Sequence, residues 1–188
     1  FVNYKGKNHL LFYSVKFTYR YYPDSTMVEL IPEYLFTRDK IKEHRLAMKS
    51  RVKKLALLAE KLSEKEKELF IHDFIVKNVK YDKLKKEYSH EIIGALGNGV
   101  AVCEGMAKAV KILCDELGIW CIVALSDANP DKGIKYRHAW NVIRIDGKYY
   151  HLDVTFDNTL SRDDAVRYDY VNLADKQIFR DHEPVIWK

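Results

Sequence analysis

The stretch that decides the fold runs from residue 138 to residue 157 and reads HAWNVIRIDGKYYHLDVTFD. Asp146-Gly147 divides it into two halves, each rich in β-branched and aromatic residues. Two such runs separated by Asp-Gly are the strongest short-range signal of a β-hairpin. The sequence therefore predicts two antiparallel strands, over residues 136–145 and 148–155, joined by a tight turn.

The register of this hairpin brings two chemically active side chains together. A two-residue turn places Asp153 opposite Trp140 and makes His138 the diagonal neighbour of Asp153 on the same face. Diagonal neighbours lie about 7–8 Å apart at the backbone, which is within reach of a hydrogen bond between an imidazole and a carboxylate. A slip of one residue would move a whole strand's side chains to the other face, so the pairing depends on the two-residue turn.

A second informative stretch surrounds Cys103. Gly94, Gly97 and Gly99 precede it within a few positions and indicate a tight, irregular approach to the next element. Apolar residues then repeat at helical spacing, at Ala107, Val110, Cys114 and Leu117. The helix begins at about Cys103, has Gly118 as its C′ residue, and is apolar on most sides. We therefore predict that it is central and buried.

These residue types are suited to covalent catalysis. A helix N-terminus offers unpaired N–H groups and a positive partial charge, both of which favour a thiolate over a thiol at Cys103. The same N–H groups could hold the oxyanion of a tetrahedral intermediate. Cys103, His138 and Asp153 thus offer a nucleophile, a base and a residue that orients the base.

The rest of the chain supplies flanking strands and helices. Residues 11–21 alternate in hydrophobicity and predict a half-buried strand. The other predicted elements are a strand over residues 27–31 before Pro32, a basic helix capped by Asp39 that reaches about Leu62, and a helix opened by a Ser63–Glu66 capping box that ends near Asn78. The fold class is therefore α+β, with one central helix packed on an antiparallel sheet and further helices outside.

Composition narrows the class of protein. The chain has 188 residues and a net charge of +5. Its amino-acid composition is ordinary for a folded domain. No apolar run is long enough for a membrane helix. Three cysteines do not make a disulfide framework. Basic residues concentrate in residues 38–88, but they interleave with glutamates as on a solvated helix face. No zinc finger, RNP motif or Arg-rich arm indicates specific nucleic-acid binding.

Several blocks together resemble the bacterial transglutaminase-like cysteine proteins, which belong to the broad papain-like group. The blocks are GVAVCEGMAK at 99–108, LCDELG at 113–118, HAWN at 138–141, IDGKYYHLDVTFD at 145–157, YDYVN at 168–172, and Asp181-His182. The resemblance covers about residues 60–183. It implies a papain-like fold and a triad with Cys103 as nucleophile, His138 as base and Asp153 as orienting residue.

Two positions depart from the family pattern. Met106 stands where an aromatic residue is common, and Phe156 stands where Trp is common. Both substitutions bear on the shape of the pocket and leave the three triad positions intact.

The resemblance also implies a second oxyanion donor upstream of the cysteine block, for which Tyr81 and Asn78 are candidates. Trp140 either shields the bond between His138 and Asp153 from water or is simply a core residue. No metal and no cofactor is predicted, because a zinc site built from Cys103, His138 and His151 lacks the usual ligand spacing. Cys114 and Cys121 are predicted to be core thiols.

The expected function is cysteine-dependent acyl transfer on amide bonds of a protein or peptide substrate. Hydrolysis by a peptidase or amidase is favoured over transglutamination, because no site for an acceptor amine is evident. The alternative is a non-catalytic module on the same fold that binds a peptide or a cell-wall component or mediates assembly.

The expected organisation is an N-terminal strand segment (residues 1–37) and a transglutaminase-like catalytic domain (residues 38–188), unless the two form one continuous domain. The chain begins with Phe1, so other domains of a longer chain are allowed for. The family favours an extracytoplasmic or cell-surface bacterial location, while the residues themselves leave the compartment open.

Overall fold

A computed structural model describes residues 14–161 and 165–183 of the chain. Short 3₁₀ turns lie at residues 87–90 and 130–132, and a π-helical turn spans Ile93–Asn98. The other elements, in chain order, are β1 (Ser14–Tyr21), β2 (Val28–Tyr34), α1 (Arg38–Ala59), α2 (Glu64–Asn78), β3 (Lys80–Tyr81), β4 (Val100–Ala101), α3 (Cys103–Glu116), β5 (Cys121–Ser126), β6 (His138–Ile145), β7 (Lys148–Leu152), α4 (Val154–Leu160) and α5 (Asp175–Ile178).

The core forms between α3 and an antiparallel sheet of order β5-β6-β7. Helices α1 and α2 also pack against α3, which encloses it. Most α3 side chains, among them Met106, Val110 and Leu113, are fully buried, as the apolar character of this helix predicts. The α+β class and the central helix on an antiparallel sheet are thus confirmed. Within the described residues, no helix is long and apolar enough to cross a membrane.

The predicted hairpin register is confirmed. Strands β6 and β7 pair Ile145 with Lys148 and continue to Asn141 with Leu152. Asp146 and Gly147 both have positive φ, as a tight I′ turn requires. The predicted end of the second strand at Thr155 is wrong, because β7 stops at Leu152 and α4 begins two residues later.

The outer helices follow their capping signals, with one correction. Ser63 and Glu66 form both halves of a capping box, with Glu66 N–H donating to Ser63 Oγ and Ser63 N–H donating to Glu66 Oε2. Asp39 is not the N-cap of α1. Thr37 holds that position, and Asp39 lies in the first turn, where its negative charge suits the helix dipole. Helix α1 ends at Ala59 rather than near Leu62.

The N-terminal hairpin is less buried than its alternation predicts. Strands β1 and β2 pair with each other in a separate two-stranded sheet. Residues 18–21 are all exposed, with Tyr19 and Tyr21 at 75% and 61%, so the predicted half-burial of this strand is wrong there. The prediction for residues 11–13 lies outside the described residues. Strand β2 includes Pro32, which is compatible with a two-stranded ribbon because each strand has an open edge.

A short parallel pair connects the two segments that frame Cys103. Strand β3 pairs with β4, so that Tyr81 lies beside Ala101, and the Asp82 N–H donates to the Ala101 carbonyl. The π-helical turn before β4 is capped by Gly99, whose φ of +65° favours glycine. This is the irregular approach that the glycine-rich segment predicts.

Candidate active site

Cys103 is the first residue of α3. The preceding residue, Val102, has an apolar side chain that cannot cap the first-turn N–H groups. The Cys103 side chain is partly exposed, whereas Cys114 and Cys121 are buried. A hydrogen bond with Cys121, together with burial, raises the pKa of the Cys114 thiol. Of the three thiols, Cys103 is therefore the one that a reagent or substrate can reach.

His138 and Asp153 form a short, buried hydrogen bond. His138 Nε2 lies 2.6 Å from Asp153 Oδ2, and the two side chains are 15% and 0% exposed. Burial alone would lower the pKa of His138, but the charge of Asp153 and hydrogen bonds with Asp153 and Cys103 raise it to about 10. His138 is therefore an imidazolium at neutral pH. Because Nε2 faces Asp153, Nδ1 is the nitrogen left for Cys103.

Asp153 is held in place by its own helix. It is the N-cap of α4, and its Oδ1 accepts from the Thr155 and Phe156 N–H groups at 2.8 and 3.1 Å. Burial by itself would raise the pKa of Asp153, but His138 and His182 hold it well below its usual range. The capping role explains why β7 ends before Asp153, and it fixes the carboxylate toward His138.

Aromatic rings enclose the bond between His138 and Asp153. The Trp140 ring stacks on the His138 ring with centroids 5.9 Å apart and an angle of 15°. Phe156 meets His138 edge-on at 5.1 Å. Trp140 is 1% exposed, and its Nε1 donates to His151 Nδ1 at 2.9 Å. Trp140 thus packs in the core against the His138 ring, and its shielding of this bond from water stays a prediction.

The two candidate oxyanion donors occupy different surroundings. Tyr81 is half-buried, and burial together with the charges of Cys103 and Asp82 raises its pKa. Its hydroxyl therefore stays protonated and lies in the electrostatic field of the Cys103 sulfur. Asn78, in contrast, is exposed and donates its side-chain amide to the Phe74 carbonyl within α2. The structure thus brings Tyr81 toward Cys103 and leaves Asn78 engaged elsewhere.

An ion-pair cluster lies beside Cys103. Glu104, the next residue, accepts from His90 Nδ1 at 3.1 Å and pairs with Lys108 Nζ at 2.9 Å. Burial would raise the pKa of Glu104, but His90 and Lys108 lower it to about 2. Burial also raises the pKa of Glu91, a second partner of Lys108, to about 7. The negative charge of Glu104 next to Cys103 is therefore paired with the positive charge of Lys108.

His182 also contacts this site, although the sequence alone predicts no role for it. Its Nε2 lies 2.8 Å from Asp153 Oδ2, the same oxygen that His138 contacts. Its side chain is 1% exposed. Asp181-His182 is one of the blocks that carry the resemblance, and this was the one sequence signal that pointed to His182. No periodicity or turn pattern relates this block to the hairpin.

The site has one grouping with ligand atoms close enough for a metal ion. Among the described residues, His138, Asp153 and His182 offer atoms within 4.8 Å of one another. Both histidines contact one carboxylate oxygen at hydrogen-bond distances, so this arrangement fits shared protons better than a bridging cation. The zinc alternative needs His151, but His151 Nδ1 accepts from Trp140 and its Nε2 contacts Asp175.

Comparison with known proteins identifies the family. The family model of the transglutaminase-like superfamily matches residues 53–154, a range that includes Cys103, His138 and Asp153. The chain belongs to the transglutaminase-like superfamily. None of the curated proteins matches the sequence of this transglutaminase-like chain.

Two solved structures are similar to this transglutaminase-like chain to different degrees. One described as a TGase superimposes with a TM-score of 0.52 at 14% identity, over 87% of this chain and 48% of that one. A candidate cysteine protease from Cytophaga hutchinsonii is 25% identical, with a TM-score of 0.44, over 55% of this chain and 37% of that one. The chain therefore spans about half the length of the first structure. That likeness supports the fold.

Proposed function

We propose that this protein is a cysteine-dependent acyl-transfer enzyme acting on amide bonds of a protein or peptide, with Cys103, His138 and Asp153 as its triad. His138 carries this proposal, because it contacts a thiol on one side and a buried carboxylate on the other. An imidazolium in that position stabilises a thiolate and can donate a proton to a leaving amine.

The first half of the reaction forms a thioester. The Cys103 thiolate attacks the amide carbonyl carbon, and a C–S bond forms while the carbonyl oxygen becomes an oxyanion. The Cys103 N–H and the Tyr81 hydroxyl donate to that oxyanion. His138 Nδ1–H then gives its proton to the amide nitrogen, the C–N bond breaks, and the amine leaves.

The second half releases the acyl group. Neutral His138 takes a proton from water, the resulting hydroxide attacks the thioester carbon, and the C–S bond breaks to regenerate the thiolate–imidazolium pair. Attack by an amine instead of water would produce a new amide. We favour hydrolysis, because water needs no binding site whereas an amine acceptor must be held in place.

We also propose that the catalytic unit begins at residue 38. Helix α1 contributes Met48, Val52 and Leu55 to the buried core, although the family match starts at residue 53. The strand segment before residue 38 pairs within itself. This supports a division between residues 1–37 and 38–188.

Alkylation with iodoacetamide tests the proposed nucleophile. At pH 6 an ordinary thiol is less than about 1% thiolate, but Cys103 beside an imidazolium should react on the order of 100-fold faster than buried Cys114 or Cys121. Mass spectrometry of the modified peptides measures the three rates, and Cys103→Ser provides the blank. Slow, equal labelling of all three would favour the non-catalytic module.

The pH dependence of acylation tests the proposed acid. His138 loses its proton as pH rises through about 10, so amide cleavage should fall above that pH. Alkylation of Cys103 should not fall there, because a thiolate needs no proton donor to react. The rates of amide cleavage and of alkylation by iodoacetamide are measured in parallel against pH, up to the pH at which circular dichroism begins to change. The comparison separates proton donation by His138 from the reactivity of the Cys103 thiolate. A fall of both rates together would contradict the assignment.

Substitution of Tyr81 by Phe tests the oxyanion donor. Loss of one donor costs roughly 10²–10³-fold in kcat, and KM should change little because the oxyanion forms only after binding. Tyr149→Phe is the matched control, since Tyr149 is 58% exposed on β7. An unchanged kcat in Tyr81→Phe would remove Tyr81 from the mechanism.

A further inference from the structure

The C-terminal segment, residues 165–183, passes over the site and delivers a second imidazole to Asp153. We propose that His182 is a positioning residue for the acyl-transfer site, holding the Asp153 carboxylate that orients His138. This inference rests on the proposed function, because the carboxylate that His182 contacts is the orienting member of the triad.

The hydrogen bonds of Asp153 define what His182 does. One carboxylate oxygen, Oδ1, accepts from two backbone N–H groups at the start of α4. The other, Oδ2, accepts from His138 Nε2 at 2.6 Å and from His182 Nε2 at 2.8 Å. Four donors restrain the rotation of a carboxylate about its Cβ–Cγ bond. Removal of His182 leaves Oδ2 with His138 as its one donor and weakens that restraint.

The other face of His182 contacts a second carboxylate. Its Nδ1 lies 2.6 Å from Asp181 Oδ1, and its Nε2 faces Asp153. An ionised carboxylate only accepts hydrogen bonds, so Nε2 must carry a proton for the contact with Asp153 to form. His182 is thus a buried donor, 1% exposed, that is enclosed between two carboxylates.

Asp181 is itself fixed by the C-terminal segment. The Tyr170 hydroxyl donates to Asp181 Oδ2, and burial together with Asp181 raises the pKa of that phenol, so it remains a donor. The Tyr170 backbone is bound at both ends, because its carbonyl accepts from the Asp153 N–H and its N–H donates to Asp157. The chain of contacts from Tyr170 through Asp181 to His182 is thus anchored on α4.

A second hydrogen bond to the shared carboxylate also affects His138. The rings of His138 and His182 lie 5.1 Å apart, and both face Asp153 Oδ2. Because two donors share one carboxylate oxygen, His182 should weaken the bond between Asp153 and His138 and keep the proton on His138 from being held too tightly. Five titratable groups face His182. They are His138 on β6, His151 on β7, Asp153 at the N-cap of α4, and Tyr170 and Asp181 in the C-terminal segment.

Two substitutions at His182 separate positioning from packing. His182→Ala removes the donor, and we expect kcat for amide cleavage to fall about 10–100-fold with KM within about twofold. His182→Gln keeps a neutral donor that can reach Asp153, so it should recover most of kcat. Without the second donor, the alkaline limb of the kcat/KM profile of His182→Ala should move upward by about one pH unit.

The matched controls report on structure alone. Asp181→Asn removes the charge behind His182, whereas Asp175→Asn alters the contact of another buried histidine, His151. Asp181→Asn should shift the pH profile and Asp175→Asn should not. Equal losses in His182→Ala and His182→Gln, with no shift of the alkaline limb, would mean that His182 is merely structural and would overturn the inference.

Nitrogen NMR of the unmodified protein tests the inference without any activity. Assigned by through-bond correlations in the unmodified protein, His182 Nε2 should carry a proton that is hydrogen-bonded to the Asp153 carboxylate. An Nε2 without a bound proton would overturn the inference even if both variants failed to fold. Failure of the proposed function is a different result, because unreactive Cys103 would leave the Nε2 proton of His182 unchanged.

Discussion

Asp153→Asn is expected to lower kcat by about 10³–10⁴-fold and the free energy of unfolding by about 3–5 kcal/mol. The asparagine oxygen can still accept from the first N–H groups of α4, so the cap itself survives. The asparagine NH₂ group then lies where Asp153 Oδ2 accepts from His138 Nε2 and His182 Nε2. Because the NH₂ group is itself a donor, it cannot accept from either ring. His138 can accept from it only as the neutral tautomer with a proton on Nδ1. That tautomer cannot stabilise a thiolate at Cys103 as an imidazolium does.

The stability loss of Asp153→Asn has a predicted pH dependence. The folded pKa of Asp153 is depressed, so its contribution is complete above its unfolded value of 3.8 and is lost only in stronger acid. The folded pKa of His138 is raised, so its contribution is complete below 6.5 and is lost as pH rises through about 10. The difference in unfolding free energy should therefore be largest between about pH 4 and 6.5.

Urea unfolding of both proteins at several pH values measures this difference. Asp175→Asn is the control, because Asp175 also contacts a buried histidine but is 84% exposed. A loss that is equal in the two variants, or that does not diminish in acid, would contradict the role given to Asp153. Alkylation of Cys103 at pH 6 should slow in Asp153→Asn and stay unchanged in Asp175→Asn.

Gly105→Ala is expected to destabilise the protein by about 3 kcal/mol and to displace Cys103. A Cβ at position 105 would lie 2.2 Å from the Ser89 carbonyl oxygen. That oxygen cannot retreat easily, since it accepts from the Val102 N–H at 3.0 Å, and the Ser89 hydroxyl is bound to Asp82. The first turn of α3 must move instead, and a shift of about 1 Å at a nucleophile can cost about 10²-fold in rate.

Gly97→Ala is the matched control for Gly105→Ala. A Cβ at position 97 would approach only the ends of the Ile93 and Met48 side chains, which can adjust. We expect a cost of no more than about 1 kcal/mol there. Thermal unfolding and the rate of Cys103 alkylation measure both variants. A Gly105→Ala protein as stable and reactive as Gly97→Ala would show that this close approach does not position Cys103.

The hairpin shows how much of the site local sequence can predict. The Asp-Gly turn sets the register, and the register brings His138 and Asp153 to the same side. The prediction misses the departure of Asp153 from the strand, because an aspartate at that position can either continue a strand or cap a helix. The residues after Asp153 are short of helix-forming signals, and packing against α2 and α3 decides in favour of α4.

Other features depend on contacts between distant residues. Alternation in residues 14–21 indicates a strand but does not say whether another layer covers it, and Tyr19 and Tyr21 are exposed. His182 reaches Asp153 only because the C-terminal segment pairs Leu173 with His151 along β7. No repeating pattern in the sequence encodes that route. Tyr81 approaches Cys103 through the two-residue pairing of β3 with β4, which is too short to leave a signal.

The C-terminal segment also determines how far the chain can be shortened. The family match ends at residue 154, directly after Asp153. A protein trimmed to that point would keep all three proposed triad residues, yet it would lose His182 and the Leu173 backbone contacts along β7. Its open strand edge would invite aggregation. Fusion partners or affinity tags at the C-terminal end should therefore follow residue 183, and the smallest fragment suited to testing the proposed activity is longer than the recognisable motifs.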